Sequence, residues 1–469
     1  MPEKLQLSRN NYNKNILNKS LLTITRNKLK TYLLNENELK INIPRVNIPR
    51  VNINKLLASC LLAIMLIVPG CGNTSSIDDY ATNNIESNVT DDITSNVTDG
   101  IISDTTVNSQ DTQKSQQSSS FSESVKGIPK EDIKIGILYL ADPSEGDGYS
   151  YTHDLGIQGM QNNLSIPDGQ IIRKTNIDDT DNSIAAKAID ECIEEGCNII
   201  FTTSWGYMDI TEQKAEQYPD VYFFHGTGYK SNGKNFSNYF GRIYQARYLS
   251  GIVAGMNTKS NKIGYVAAMD SSNSEVTGGI DAFAIGVAAV NPDAAIYVKV
   301  TNSWYDPVKE KSASRKLLDM GCDVMAQHCD TAYPQTMAQE RGCYGIGYNS
   351  DMEKDTPDSC LCSVIWNWSA YYTSVVESII DGTYNGENYY GGMEEGLVDI
   401  TRLADFCVEG TEEKVAEERA KILSGEFNVF DGEIETNTGE IVGSQGSTLD
   451  DGTITGGINW YYKNVKVAD

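Results

Sequence analysis

Short apolar runs and amphipathic stretches alternate along the chain from residue 131 onward. Residues 133–140 (IKIGILYL) are mostly β-branched or apolar and predict a buried strand. Residues 183–196 (SIAAKAIDECIEEG) carry apolar side chains on one helical face and end in glycine, which predicts a helix. Residues 197–202 and 221–228 are again apolar and predict strands. Because strands alternate with helices, the pattern indicates a parallel α/β sheet with right-handed crossovers.

The same alternation restarts after Phe240. Residues 246–258 predict a helix, 262–269 a strand and 274–290 a helix with a Gly/Ala face, and the pattern continues to a strand at 343–349. The two halves are of similar length, which predicts two similar lobes. The last hundred residues add two helices, an acidic strand and a terminal hairpin-like segment. A chain that returns between the lobes in this way would form a hinge.

The apolar run from Leu56 to Cys71 (LLASCLLAIMLIVPGC) follows Lys55 and precedes a long polar segment. This order is typical of a bacterial lipoprotein signal, in which Cys71 is lipidated. A plain transmembrane anchor is the alternative, although the run is shorter than the roughly 20 residues that a spanning helix needs. The expected location is the extracytoplasmic face of the bacterial cell membrane.

The composition divides the chain into three parts. Residues 1–70 are an N-terminal extension with the signal, and residues 71–130, which are rich in Ser, Thr, Asn and Gln, predict a flexible polar tether. Residues 131–469 predict a bilobed ligand-binding domain. Its first lobe is expected to comprise about 131–240 plus 366–392, and its second about 241–365 plus 393–469.

Charge and cysteine content exclude some function classes. The chain carries a net charge of −26, and its acidity lies after residue 70, so we expect no binding to nucleic acid. Eight cysteines follow residue 71 without CxxC or Cys-His zinc spacing. An exported protein could form disulfides from them, but we expect most of them to be free and buried. No three ligand-type residues share metal spacing, so neither a metal nor a cofactor is predicted.

Aromatic and acidic residues follow the predicted strands, in a Gly/Asp/Tyr loop at 141–152 and in later segments such as 270–275. Ligands in open parallel sheets bind beyond the carboxyl ends of the strands. Rings there would stack on a flat ligand, and carboxylates would accept its N–H or O–H hydrogens. No cluster of Arg or Lys occurs at these ends, which argues against an anionic ligand. The candidate ligand-binding residues are Tyr149, Tyr151, Trp205, Trp304, Asp330, Asp351, Trp366 and Asn367.

Each candidate also has a structural interpretation. Trp205 and Trp304 could cap the core, Asp330 and Asp351 could form Asx turns or helix caps, and the residues at 366–367 could pack the hinge. The three histidines are expected to be structural, with His225 and His328 as hydrogen-bonded groups at a sheet edge.

The sequence resembles the basic membrane protein family, the purine-nucleoside-receptor-like substrate-binding lipoproteins of ABC transporters. The resemblance rests on motifs that occur in order across residues 131–385: DGYSYTHDLG, TTSWGYMD, NYFGRIYQARYLSGIVAG, IDAFAIGVAAVNPDA, NSWYDPVKEK, GCDVMAQHCD, GIGYNSDM and SVIWNW. It implies a type I periplasmic-binding fold with two Rossmann-like lobes, a three-segment hinge and closure around the ligand.

The resemblance also implies a purine base or nucleoside as the ligand and ABC permease subunits as partners. By family position, Tyr149 and Trp304 would sandwich the base, Trp205 would supply another aromatic, and Asp351 would hold ribose. Where nucleoside receptors of the family have a ribose-directed lysine, this chain has Trp366, which favours a free purine or a related heterocycle.

The sequence thus predicts a monomeric, lipid-anchored substrate-binding protein of an ABC importer that is not an enzyme. A sensory receptor for the same ligand class is one alternative, and neighbouring genes would separate it from transport. A nucleoside hydrolase is the other, because exposed carboxylate pairs suit glycoside cleavage.

Overall fold

The computed structural model describes residues 127–468, in which helices cover two mainly parallel sheets. In chain order the strands are β1 (Ile135–Leu138), β2 (Ile171–Lys174), β3 (Ile199–Thr202), β4 (Tyr222–Gly226), β5 (Phe236–Gly241), β6 (Lys262–Ala267), β7 (Ala295–Val300), β8 (Val324–His328), β9 (Tyr344–Asn349), β10 (Cys360–Trp366), β11 (Tyr389–Gly391), β12 (Val398–Ile400), β13 (Asp431–Glu435), β14 (Ile441–Thr448) and β15 (Val465–Val467). The helices are α1 (Gly148–Leu164), α2 (Asn182–Glu194), α3 (Met208–Gln217), α4 (Ile243–Asn257), α5 (Ser274–Val290), α6 (Pro307–Asp319), α7 (Tyr333–Glu340), α8 (Trp368–Ile380), α9 (Thr411–Ser424) and α10 (Asp451–Gly456).

Each sheet has the strand order of a doubly wound fold. The first runs β11-β5-β4-β3-β1-β2, and all its neighbouring strands are parallel. The second runs β12-β10-β9-β8-β6-β7-β15, and only β10 and β12 pair antiparallel. The buried strands are nearly continuous apolar runs, as a sheet covered on both faces requires. The predicted α/β class and type I periplasmic-binding fold are confirmed.

The chain crosses between the two sheets three times within residues 127–468. It leaves the first sheet after β5, returns from β10 into α8, which packs on α1, and leaves again after β11. The crossings are hydrogen-bonded to one another, because Arg242 N donates to Gly391 O at 2.7 Å and Asn367 N donates to Leu397 O at 2.7 Å. These three segments form the predicted hinge.

Some boundaries differ from the sequence-based expectation. The first helix begins at Gly148, so Tyr149 and Tyr151 lie in its first turn and not in a loop. The fold begins before residue 131, since Ile128 N donates to Ile379 O at 3.1 Å. The expected hairpin exists as β13 and β14, but the chain then forms α10 and adds β15 to the second sheet. With only Val465 of its three residues buried, β15 gives no periodic signal.

The extension, the predicted signal with Cys71, and the tether up to residue 126 lie outside the described residues. Within residues 127–468, no helix combines the length and apolarity that crossing a membrane would require. All eight described cysteines are free thiols and six of them are buried, which confirms the expectation for these residues.

Helices α4 and α5 pack closely through glycines. A Cβ added at Gly251 would overlap the carbonyl oxygen of Phe283, and one added at Gly286 would overlap the carbonyl oxygen of Tyr248. The absence of side chains at these positions lets the two backbones approach each other, as in other small-residue helix contacts. This contact holds the helix that enters from the hinge against the second lobe.

We expect Gly251→Ala to lower the free energy of unfolding by about 1–3 kcal/mol, since overpacking forces the two helices apart. Urea denaturation of the variant and the wild type measures this difference. Gly169→Ala is the matched control, because its Cβ would meet no atom within 4 Å. Equal losses in both variants would contradict the close-packing explanation.

Candidate functional site

Tyr149 lies at the carboxyl end of the first sheet, in the first turn of α1. The helix begins at Gly148, whose φ of +77° belongs to the left-handed region that favours glycine. The Tyr149 hydroxyl donates to the carbonyl oxygen of Thr203, which follows β3, at 2.9 Å. The ring packs edge-on against His153, with centroids 4.4 Å apart. These contacts fix the tyrosine at the sheet edge.

The carboxyl end of the second sheet meets α1 at Asp330. A Cβ added at Gly148 would lie 2.6 Å from Asp330 O, so the two lobes are in direct contact here. Asp330 N donates to Trp304 O at 2.8 Å, and its carboxylate accepts from Asn349 Nδ2 at 2.8 Å. The structure therefore brings together three predicted residues from both lobes, namely Tyr149, Trp304 and Asp330.

Trp366 lies beside this group, at the hinge. It is buried and stacks on Trp368 with ring centroids 4.5 Å apart. Its Nε1 donates to the hydroxyl of Tyr348 at 3.3 Å. The hydrogen bond and the stacking give Trp366 a packing role at the hinge.

Three other predicted residues are exposed. Trp205 is 55% exposed, and its ring contacts Tyr229 at 5.9 Å. Asp351 is exposed, and its carboxylate accepts a hydrogen bond from Glu353 N at 3.0 Å. This contact forms an Asx turn, which is the structural interpretation given above for Asp351. Asn367 is also exposed and donates to Gly396 O at 2.9 Å.

Tyr151 faces a cation from the opposite lobe. Lys354 Nζ lies 4.9 Å from the Tyr151 ring centroid and donates to Gly146 O at 2.5 Å. The lysine therefore bridges the two lobes next to the contact between Gly148 and Asp330. This arrangement makes Tyr151 part of a closing contact.

Arg247 is a functional candidate that sequence reasoning missed. It is fully buried, its guanidinium lies 4.0 Å from the Tyr348 ring centroid, and its Nη1 donates to Gln327 O at 2.6 Å. Among the described residues, its Nε and Nη2 have no hydrogen-bond partner. Arg247 does not lie at a strand end, because it is in the second turn of α4, so the strand-end pattern does not identify it.

Glu275 is the second missed residue. It lies in the first turn of α5, and one carboxylate oxygen is 3.8 Å from His328 Nε2. Burial raises the pKa of the Glu275 carboxyl to about 7, although the nearby Arg247 charge acts in the opposite direction. Residues 270–275 follow β6 and so belong to a strand-end segment, but an acid in the first turn of a helix commonly interacts only with the helix dipole.

Asp330 has a similarly perturbed carboxyl group. Burial raises its pKa to about 7, the hydrogen bond from Asn349 lowers it, and the charges of Glu310, Glu275 and Asp147 raise it further. Two acids with a pKa of about 7, each partly ionised at neutral pH, therefore lie in one partly dehydrated region. Perturbed groups of this kind are enriched at functional sites.

The histidines differ in their environment. His153 lies 2.6 Å from the Tyr372 hydroxyl and His225 lies 2.7 Å from Ser204 O, so both are structural as expected. The expectation for His328 is wrong, because both of its ring nitrogens are buried without a hydrogen-bond partner within residues 127–468. Burial lowers the pKa of His328 well below its usual value, so its ring is neutral at pH 7.

The cleft itself is closed. A hollow of about 20 Å³ lies beside Glu275, between Phe240, Tyr390 and the glycines of α5. That volume suits a water molecule or a single ligand atom, whereas a whole purine would need the lobes to open. A wider hollow of about 590 Å³ lies near Arg173 on the first lobe, but Arg173 is paired there with Asp154 and Asp168, each at 2.7 Å.

Solved structures with the same fold have diverse functions. An ABC transporter solute-binding protein from Conexibacter woesei matches with a TM-score of 0.53 and 18% identity, covering 63% of this chain and 98% of that one. A transcriptional activator of the comK gene from Bacillus halodurans matches with a TM-score of 0.55 and 21% identity, covering 63% and 99%. These likenesses establish the fold alone.

Sequence relatives are closer. A purine-binding protein of Brucella abortus is 36% identical over 339 residues, which is 72% of this chain and 93% of the relative. A putative ABC transporter glucose-binding protein of Haloferax volcanii is 32% identical over 307 residues, covering 65% and 76%. Residues 133–433 match the family described as ABC transporter substrate-binding protein PnrA-like. This chain therefore belongs to the PnrA-like family of ABC transporter substrate-binding proteins.

Proposed function

We propose that this protein captures a purine base or nucleoside between its lobes and delivers it to an ABC permease. The observation that carries the proposal is the meeting of Tyr149, Trp304 and Asp330, which come from the two sheets. Rings from opposite lobes can stack on both faces of a planar ligand, and each such contact adds about 0.5–1.5 kcal/mol beyond area burial. The purine-binding relative supports the ligand class.

Hinge closure is the proposed mechanism. A ligand held by Tyr149 on one lobe and Trp304 on the other makes its full set of contacts only in the closed state. It therefore shifts the population toward that state, which the permease would recognise. Binding needs no bond chemistry, and incubation with nucleosides should release neither base nor sugar.

The predicted lipid at Cys71 and the polar segment after it would hold the domain at the outer face of the membrane as a monomer. The tether would give the domain a range of positions over the permease. Metabolic labelling with a radiolabelled fatty acid, compared between the wild type and Cys71→Ala, tests the anchor directly. Unlabelled wild-type protein would exclude this part of the proposal.

Mass spectrometry of ligand released from natively purified protein is the most direct test of the ligand class. We expect a purine or a purine nucleoside. Calorimetry with adenine, guanine, inosine and glucose then extends the test, since a glucose-binding relative offers a different ligand. Binding of glucose without any purine would overturn the proposal.

We expect Trp304→Ala to weaken purine binding by one to two orders of magnitude, roughly 1.4–2.8 kcal/mol, because one stacking face is lost. Isothermal titration calorimetry measures the change. Trp205→Ala is the matched tryptophan control and should have a smaller effect, since its ring is 55% exposed against Tyr229. Unchanged affinity in Trp304→Ala would remove Trp304 from the site.

A further inference from the structure

Three polar side chains lie close to one another in the second lobe, and we call them the polar end of the cleft. They are Arg247, Glu275 and His328, and they come from α4, α5 and β8 of the second lobe. Glu275 lines the hollow together with Gly279. A Cβ added at Gly279 would lie 3.0 Å from His328 Cε1 and 3.7 Å from Arg247 Nε, so both side chains lie next to this glycine.

The hydrogen-bonding capacity of the polar end is only partly used. Within the described part of the chain, two nitrogens of Arg247 and both ring nitrogens of His328 are buried without partners. Leaving a buried donor unsatisfied costs free energy, more so when the group is charged. A ligand atom that accepts hydrogens from this side would remove that cost.

The polar end is next to the aromatic residues proposed to hold the base. The ring of His328 lies 5.7 Å from Trp304 and 4.7 Å from Tyr348 between centroids. A planar ligand against Trp304 would therefore present one edge to Arg247, Glu275 and His328.

We infer that the polar end recognises the 6-oxo edge of a purine. Arg247 and His328 donate hydrogens to the exocyclic O6, and the Glu275 carboxylate accepts from N1–H and, in guanine, from the 2-amino group. Adenine has an N–H₂ group at position 6 and an acceptor at N1. Its N–H₂ group would therefore face the donors of Arg247 and His328, and its N1 would face the Glu275 carboxylate, so neither pair could form a hydrogen bond. This inference rests on the proposed function and specifies which purines the same cleft prefers.

Calorimetry on ligand-stripped protein tests this preference with guanine, hypoxanthine, adenine, guanosine and adenosine. We expect guanine and hypoxanthine to bind at least roughly tenfold more tightly than adenine, because mismatched polar groups would remain unpaired. Comparing guanosine with adenosine shows whether the preference persists when ribose is attached to the base. Equal affinity for oxo- and aminopurines, or a preference for adenine, would overturn the inference while leaving purine capture intact.

Glu275→Gln is the decisive variant. It should weaken guanine binding at least roughly tenfold and adenine binding much less. The amide N–H₂ of glutamine would face the N–H groups of guanine, and two donors cannot form a hydrogen bond with each other. Asp270→Asn is the matched acid-to-amide control, because Asp270 is exposed in the same loop and accepts hydrogens from Ser272. Thermal melting establishes that both variants fold. If Glu275→Gln weakens the binding of guanine and adenine equally, the inference is contradicted. If none of the purines binds the wild type, the proposed function is overturned as well.

Discussion

Gly148→Ala should abolish most ligand binding while the two lobes remain folded. Its Cβ would lie 2.6 Å from Asp330 O, across the interface between the lobes. Because that atom belongs to the backbone, it cannot move aside as a flexible side chain could. We expect a cost to the closed state of about 3 kcal/mol, near the upper end for overpacking, which corresponds to roughly 150-fold weaker binding.

Calorimetry and small-angle X-ray scattering with and without ligand would detect the loss of affinity and of closure. Gly146→Ala is the control, because Gly146 has a φ of +85° and its Cβ would meet only the end of Lys354, at 4.0 Å. It introduces the same left-handed strain without the clash between lobes. Similar losses in both variants would show that backbone strain, and not blocked closure, weakens binding.

Raising the pH from about 4 to about 7 should destabilise the closed protein, with Asp330 as one source of the loss. The pKa of its carboxyl is about 7 in the folded protein, against an ordinary value of 3.8. The folded state therefore binds the proton more tightly than the unfolded chain. The resulting stability is complete below about pH 3.8 and is lost as the pH rises to and through about 7, a change on the order of 4 kcal/mol.

Asp330→Asn should flatten this dependence and be more stable than the wild type at pH 8. The asparagine side chain keeps an acceptor for Asn349 Nδ2 but cannot ionise. Some slope should remain, because burial also raises the pKa of Glu275 to about 7 and the pKa of Asp281 well above its usual value. Thermal melting between pH 5 and 8.5 measures the change, with exposed Asp351→Asn as the control. A slope in Asp330→Asn equal to that of the wild type would exclude Asp330 as its source.

Strand and helix patterns predicted most of the framework because its core strands are short, continuous apolar runs. Residues 133–140 and 197–202 follow this pattern, and β1 and β3 lie within them. The return of the chain between the two halves predicted a hinge, and the resemblance to a known family supplied the type I fold and the three hinge segments. Strand β15 was not predicted, since a three-residue strand on a sheet edge is fixed by its partner β7 and not by its own periodicity.

The site was predicted only in part, for a physical reason. Residues that directly follow strands, such as Trp304 and Asp330, can be placed at the ligand-binding edge of a sheet from topology alone. Arg247 and Glu275 enter from helices α4 and α5, and their convergence depends on how those helices pack. Sequence spacing alone does not describe that packing. The unsatisfied nitrogens of His328 likewise follow from burial in three dimensions.

The pairing of β15 with β7 affects how the second lobe is assembled. Residues 465–467 hydrogen-bond to 296–298, far earlier in the chain, so this sheet remains one strand short until nearly all the described residues have been synthesised. Until then the free edge of β7 exposes unpaired N–H and C=O groups to other chains. We therefore expect this lobe to mature late and to be the half that relies on chaperones during secretion.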